Sequence, residues 1–172
     1  MTKSVELRRH TDNDGDRLSD EGVAAAVEIG RTIAGDFDLV VSSGAQRATQ
    51  TAACFISGMD GNVRGGVVVD SRFRSEFEDE WKEAFERAGA GDLESFRRVA
   101  PELVASESEL MGGALRDLID RLPEGGRALV VGHSPMQEAA VYGLTGEIVE
   151  PLSKGAGVRV VAENGNLRVE AL

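Results

Sequence analysis

The sequence contains two histidines, His10 and His133, and each follows directly on a strand-like run. Val5-Glu6-Leu7-Arg8-Arg9 leads into His10, and Arg127-Ala128-Leu129-Val130-Val131-Gly132 leads into His133. A further short apolar run, Asp38-Leu39-Val40-Val41-Ser42, is followed by Arg47 near the predicted start of a helix. Open α/β sheets collect their ligands at strand ends of this kind. A neutral imidazole nitrogen can attack phosphorus and carry the phosphoryl group as phosphohistidine until water cleaves it. The attack requires the phosphoryl charge to be neutralised, and a permanently charged planar guanidinium matches phosphate oxygens best. On this chemistry His10 is the candidate nucleophile, with Arg9 and Arg47 holding the phosphate. His133, when protonated, would donate to an oxygen that gains charge in the transition state. A departing alkoxide also needs a general acid, for which a carboxyl group in a dry or crowded site serves. Glu76, Glu78 and Glu80 follow the strand-like Val67-Val68-Val69, so one of them is expected to reach the site.

The elements that must position these groups follow from periodicity. A first strand is expected over about Ser4 to Arg8, then a turn-rich loop from Thr11 to Asp16. Ser19 reads as an N-cap, with Asp20 and Glu21 in the first turn where the helix dipole favours acids. Val23, Ala26, Val27, Gly30 and Ile33 share one face of that helix, which Gly35 should end. The next helix is expected from about Ala45 to Ile56, near Gly58. From Ser71 to about Pro101 the strand–helix alternation lapses into a charged, helical insertion over the strand ends. Phe77, Trp81, Phe85 and Ala88 form an apolar stripe there, read as core. Ser106 or Ser108 should cap a longer helix that ends at Pro123 to Gly126. Another helix is expected from about Pro135 to Tyr142, and a hairpin around Asn164-Gly165. The order predicts a single domain over residues 1–172. It is a three-layer α/β/α sandwich with a mostly parallel sheet and an antiparallel C-terminal edge.

The charge balance narrows the partners. Formal net charge is −11 and the pI about 4.7, so no basic field for nucleic acid or an anionic membrane is expected. A single cysteine, Cys54, excludes an internal disulfide framework and reads as a small buried apolar residue. No apolar run spans a bilayer and no signal-type segment opens the chain, so a cytoplasmic location is the expectation.

The segments Arg9-His10, Ser42-Ser43-Gly44-Ala45-Gln46-Arg47-Ala48-Thr49-Gln50-Thr51-Ala52 and Val130-Val131-Gly132-His133-Ser134 together resemble the histidine phosphatase superfamily, the phosphoglycerate mutase-like proteins. The resemblance covers nearly the whole chain except Ser71 to Pro101. The short length and the C-terminal hairpin look most like the small SixA-like phosphohistidine phosphatase branch. It implies His10 as the phosphorylated group and Arg9, Arg47 and His133 as the phosphate pocket. Asn13 and Ser134 are added as substrate contacts. Glu76 is taken as the acid, by a family segment that aligns with a one-residue offset, although the SixA-like branch lacks this carboxylate. Thr11 stands where the family usually has glycine, and Gly44 where it often has proline.

Three functions compete. The first is a metal-independent phosphatase for a phosphomonoester. The second is a phosphatase for a phosphohistidine-bearing protein. The third is a catalytically silent phosphate-binding domain, which Thr11 keeps in play. A mutase would need a second set of phosphate-binding basic residues. No cofactor or metal is expected. Asp12 to Asp16 fails as a calcium loop, because Arg17 holds the glycine position and Val23 the glutamate position. Gly132-His133-Ser134-Pro135-Met136 lacks the last glycine of a serine hydrolase elbow.

Overall fold

The computed structural model describes residues 1–172. Strand β1 spans Thr2–Arg9 and is followed by a two-rung hairpin, β2 (Asn13–Asp14) and β3 (Arg17–Leu18). Helix α1 is Asp20–Thr32, then come β4 (Leu39–Ser42), α2 (Gln46–Gly58) and β5 (Val67–Val69). A 3-10 turn at Ser71–Phe73 leads into α3 (Glu78–Ala88), α4 (Leu93–Val99) and α5 (Pro101–Arg121). The chain closes with β6 (Arg127–Gly132), α6 (Met136–Thr145), β7 (Gly157–Glu163) and β8 (Asn166–Ala171).

Six strands form one sheet in the order β5-β4-β6-β1-β7-β8. The first four are parallel, and β7 and β8 add an antiparallel edge joined through Asn164 and Gly165, both at positive φ. The mostly parallel α/β sheet with its antiparallel edge is therefore as the sequence predicts.

The central strand β6 shows why the sheet is covered on both faces. Ala128 and Val130 join one apolar cluster with Leu115, Leu118 and Val141, while Leu129 and Val131 join another with Ala48, Ala52 and Phe55. A strand buried on both faces reads as a continuous apolar run, because its side chains alternate between two cores.

Local expectations fare unevenly. Ser19 caps α1 by accepting from the Gly22 N–H at 3.0 Å. Val23, placed on the buried face, is instead exposed, and Gly22 is buried in its place. Ser106 and Ser108 do not cap α5; that helix starts at Pro101, whose fixed φ and missing N–H suit a first turn. The Phe77–Ala88 stripe is core only in part: Trp81 is buried with Ala84 in the first cluster, but Phe77 and Phe85 are 46% and 52% exposed. Periodicity reports that a helix has an apolar side, not that another element covers it.

Candidate active site

The parallel register explains the convergence of the chemistry. Arg9 of β1 pairs with Gly132 of β6, and Ser42 of β4 pairs with Val131. His10, His133 and Ser43 therefore leave three adjacent interior strands at the same end of the sheet, their carboxyl ends. The His10 N–H donates to the Gly132 carbonyl at 2.9 Å and the Ser43 N–H to that of Val131 at 3.1 Å, so the pairing continues past the strands. The two imidazole rings meet edge to face, with centroids 5.3 Å apart and planes at 60°.

Alternation along β1 sends its two arginines to opposite faces. Arg8 lies over the Phe55 ring and pairs with the buried Glu6 at 3.6 Å. Arg9 donates to the Leu152 carbonyl at 3.0 Å, while its Nε is buried without a partner. Arg8 is thus committed to an acid, and Arg9 lines a cavity of about 450 Å³. The same cavity is bordered by His10, Asn13, Arg47, His133 and Ser134. Lys154 and Glu78 complete its charged lining.

Glu76 does not border this cavity. It is exposed, in a separate surface depression of the 74–80 segment, whereas Glu78 at the start of α3 faces the histidines' cavity and accepts from Arg74 Nε at 2.9 Å. The 3-10 turn at Ser71–Phe73 and the buried Ser75, which donates to Glu107, set this orientation. A sequence offset cannot anticipate either.

The hydrogen bonds fix the ring tautomers. His10 Nδ1 lies 2.7 Å from the Thr11 carbonyl, which only accepts, so Nδ1 carries the proton and Nε2 keeps its lone pair. His133 Nδ1 lies 3.3 Å from Arg47, which only donates, so its proton is on Nε2 and is given to Ser43 Oγ at 2.7 Å. Burial, opposed by the Thr11 hydrogen bond and reinforced by Arg47, Arg9 and Lys154, lowers the His10 pKa to about 4. Burial, then Arg47 and His10, lower that of His133 to about 3. By these contacts the His133 ring is neutral here, and its one donor faces Ser43.

Two departures from the family pattern have local answers. The Thr11 hydroxyl donates to the Gly22 carbonyl at 2.7 Å, and its N–H donates to Thr51 Oγ1 at 3.2 Å. A Cβ at Gly22 would fall 1.9 Å from the Asp12 carbonyl oxygen, so α1 approaches this turn closely only because residue 22 is glycine. Gly44 sits at φ +94°, which proline, fixed near −65°, cannot adopt.

The start of α2 already carries an anion of the protein's own: Asp16 accepts from the Gln46 and Arg47 N–H groups at 3.3 and 3.4 Å. The same carboxylate accepts from the Arg47 guanidinium at 2.8 Å. Sequence reasoning gave no role to Asp16, Ser43, Lys154 or Glu138. Glu138 is buried and accepts from Ser134 Oγ at 2.6 Å and the Leu152 N–H at 2.7 Å. The only signal for it is the i, i+4 spacing from Ser134.

A family model for the histidine phosphatase superfamily (branch 1) matches residues 2–155. The chain belongs to the histidine phosphatase superfamily. This histidine phosphatase superfamily member is an enzyme of the phosphatase class, as its motifs imply. A search of curated proteins finds no match. Among solved structures, it resembles a phosphoglycerate mutase from Bacillus anthracis at 16% identity and TM-score 0.68, covering 99% of this chain and 92% of that one. Phosphoserine phosphatase from Entamoeba histolytica is similar at 18% identity and TM-score 0.68, covering 97% and 94%. The putative phosphohistidine phosphatase SixA from Agrobacterium tumefaciens is similar at 18% identity and TM-score 0.54, covering 96% and 94%. At such identities the likeness is one of fold. No helix is long and apolar enough to cross a membrane.

Proposed function

We propose that the protein hydrolyses a phosphomonoester through a phosphohistidine on His10, with Arg9, Arg47 and Lys154 supplying the positive charge and no metal ion required. The observation that carries this reading is the His10 tautomer. Its Nδ1 proton is held by the Thr11 carbonyl, its pKa lies near 4, and so Nε2 presents a lone pair at neutral pH. Nε2 attacks phosphorus as the bond to the ester oxygen breaks, and that electron pair leaves on the oxygen. Glu78, which lines the same cavity, is the proposed proton donor in place of Glu76. Water then attacks phosphorus, Glu78 takes its proton, and the N–P electron pair returns to Nε2. The cationic phosphohistidine keeps its Nδ1–H on Thr11. Burial and the nearby Arg47 charge depress the His133 pKa, and a phosphate dianion in the cavity opposes the second of these, shifting His133 toward its second proton. Asn13 and Ser134 contribute from the cavity wall.

A phosphohistidine-bearing protein as substrate makes a different demand on Glu78, because its nitrogen leaving group is easily protonated. The test compares an alkyl phosphate with a phosphoramidate in wild type, Glu78→Gln and Glu76→Gln. The expected result is at least about a hundredfold loss on the alkyl phosphate in Glu78→Gln alone, with the phosphoramidate spared. Equal activity of Glu78→Gln on both substrates contradicts the assignment of the acid. Full activity of His10→Ala contradicts the nucleophile.

A further inference from the structure

Beside the histidines' cavity lies a second compartment of about 400 Å³, and Arg9, Glu78, Ser134 and Met136 border both. Apart from these shared residues, Lys82 and Gly91, its walls are Trp81, Phe85, Phe96, Pro135, Pro151 and Leu152. Its size falls within the range of small-molecule sites. Trp81 and Phe96 are buried and pack edge to face at 5.2 Å. The one polar atom of Trp81 donates to Glu107 at 3.1 Å, so this residue has only ring carbon left to offer a ligand. Phe85 stands at the mouth, half exposed, and a Cβ at Gly91 would lie 3.5 Å from its ring. Lys82, exposed on the same helix, is the only ammonium in the lining.

A ligand group in this compartment exchanges water for aromatic and aliphatic carbon. The hydroxyls of a polyol would lose their hydrogen bonds there, whereas a flat apolar group gains burial. We propose that this compartment takes the leaving-group side of the substrate, and that the preferred substrates are phosphomonoesters of an aromatic alcohol carrying a carboxylate. The aromatic body lies against Trp81, Phe85 and Phe96, and the carboxylate meets Lys82. The inference rests on the phosphatase reading above, and it gives the α3 and α4 segment the role of selecting substrates.

The test measures kcat/KM for benzyl phosphate, 4-carboxybenzyl phosphate and glycerol 3-phosphate, all esters of primary alcohols. Benzyl phosphate should exceed glycerol 3-phosphate by about tenfold or more, and the carboxylated ester should exceed both. Phe85→Ala should reduce the benzyl-to-glycerol ratio about tenfold. Lys82→Gln should bring the carboxybenzyl-to-benzyl ratio close to one. Both are surface substitutions, and a ratio of substrates is not moved by a uniform loss of folded enzyme. Equal turnover of benzyl phosphate and glycerol 3-phosphate, or a ratio unchanged by Phe85→Ala, overturns the proposal while leaving the phosphatase reading intact. Absence of turnover on every ester, or turnover that survives His10→Ala, is instead a failure of that reading.

Discussion

Asp16 holds the Arg47 guanidinium at 2.8 Å while capping the helix to which Arg47 belongs. The carboxylate therefore orients a phosphate ligand and also competes with phosphate for it. Removing only the charge separates the two effects. Asp16→Asn should tighten inhibition by inorganic phosphate or vanadate several-fold, because Arg47 no longer has a resident anion. Asp16→Ala should in addition cost about 1 kcal/mol of stability through the lost cap. Weaker phosphate inhibition in Asp16→Asn would show that orientation outweighs competition.

The two histidines give a clean titration, since no other imidazole exists in the chain. With folded pKa values near 4 and 3 against 6.5 unfolded, both rings should stay neutral in the ligand-free protein at pH 5.5. The unfolded chain binds more protons below pH 6.5, so stability is present above that value and is lost as pH falls toward 4 and 3. Imidazole carbon–proton resonances followed by NMR check this, and either ring titrating near 6.5 contradicts it. Vanadate or phosphate should raise the apparent pKa of His133.

Glu138 runs the other way. Burial raises its pKa against the smaller opposing effects of Ser134, the Leu152 N–H and Arg9. A carboxyl with a raised folded pKa stabilises below its unfolded value, and that contribution is lost as pH rises through the folded one. Glu138→Gln cannot ionise, so its melting temperature should rise relative to wild type on going from pH 5 to pH 8. A constant difference across that range would mean that Glu138 ionises equally easily folded and unfolded.

Thr11 is built into its turn. Thr11→Val keeps its shape but removes the donor to Gly22, and should cost about 1 kcal/mol of stability by denaturant unfolding. Turnover at neutral pH should persist, because the Thr11 carbonyl that orders His10 is unchanged. Loss of turnover with unchanged stability would make the hydroxyl a participant in the reaction.

Much of the sheet was legible because its strands leave strong local marks. Arg127 to Val131 is apolar enough to require burial on both faces, and Asn164-Gly165 takes the positive φ angles a tight hairpin needs. The strand ends carrying His10 and His133 were legible for the same reason. What failed depended on orientation and on distance along the chain. Phe85 has helical spacing, but whether its face is covered is decided by α4 and the neighbouring loops. Glu76 and Glu78 are two residues apart, and which of them meets the cavity depends on the turn and the Ser75–Glu107 contact ahead of α3. Asp16, which holds the cavity residue Arg47, and Lys154, which lines the cavity, come from turns 138 positions apart, which no periodicity links.

Phosphate contacts should be unequal. Arg47 touches both Asp16 and His133, whereas Arg9 is anchored through Leu152. Arg47→Ala should lower kcat/KM by about a thousandfold, the scale of losing a charge-stabilising donor. Arg47→Lys should restore little of it, since an ammonium cannot keep two partners in one plane. Full recovery in the lysine variant would reduce Arg47 to a point charge.

The most direct test of the account is a rapid quench in alkaline detergent of enzyme mixed with a phosphorus-32-labelled ester, followed by peptide mapping at alkaline pH. The account predicts an acid-labile, base-stable label on the peptide containing His10, formed and lost at rates that support turnover, and absent in His10→Ala. Turnover at the full rate with no label on that peptide, or with label on His133 or a carboxylate, would contradict it.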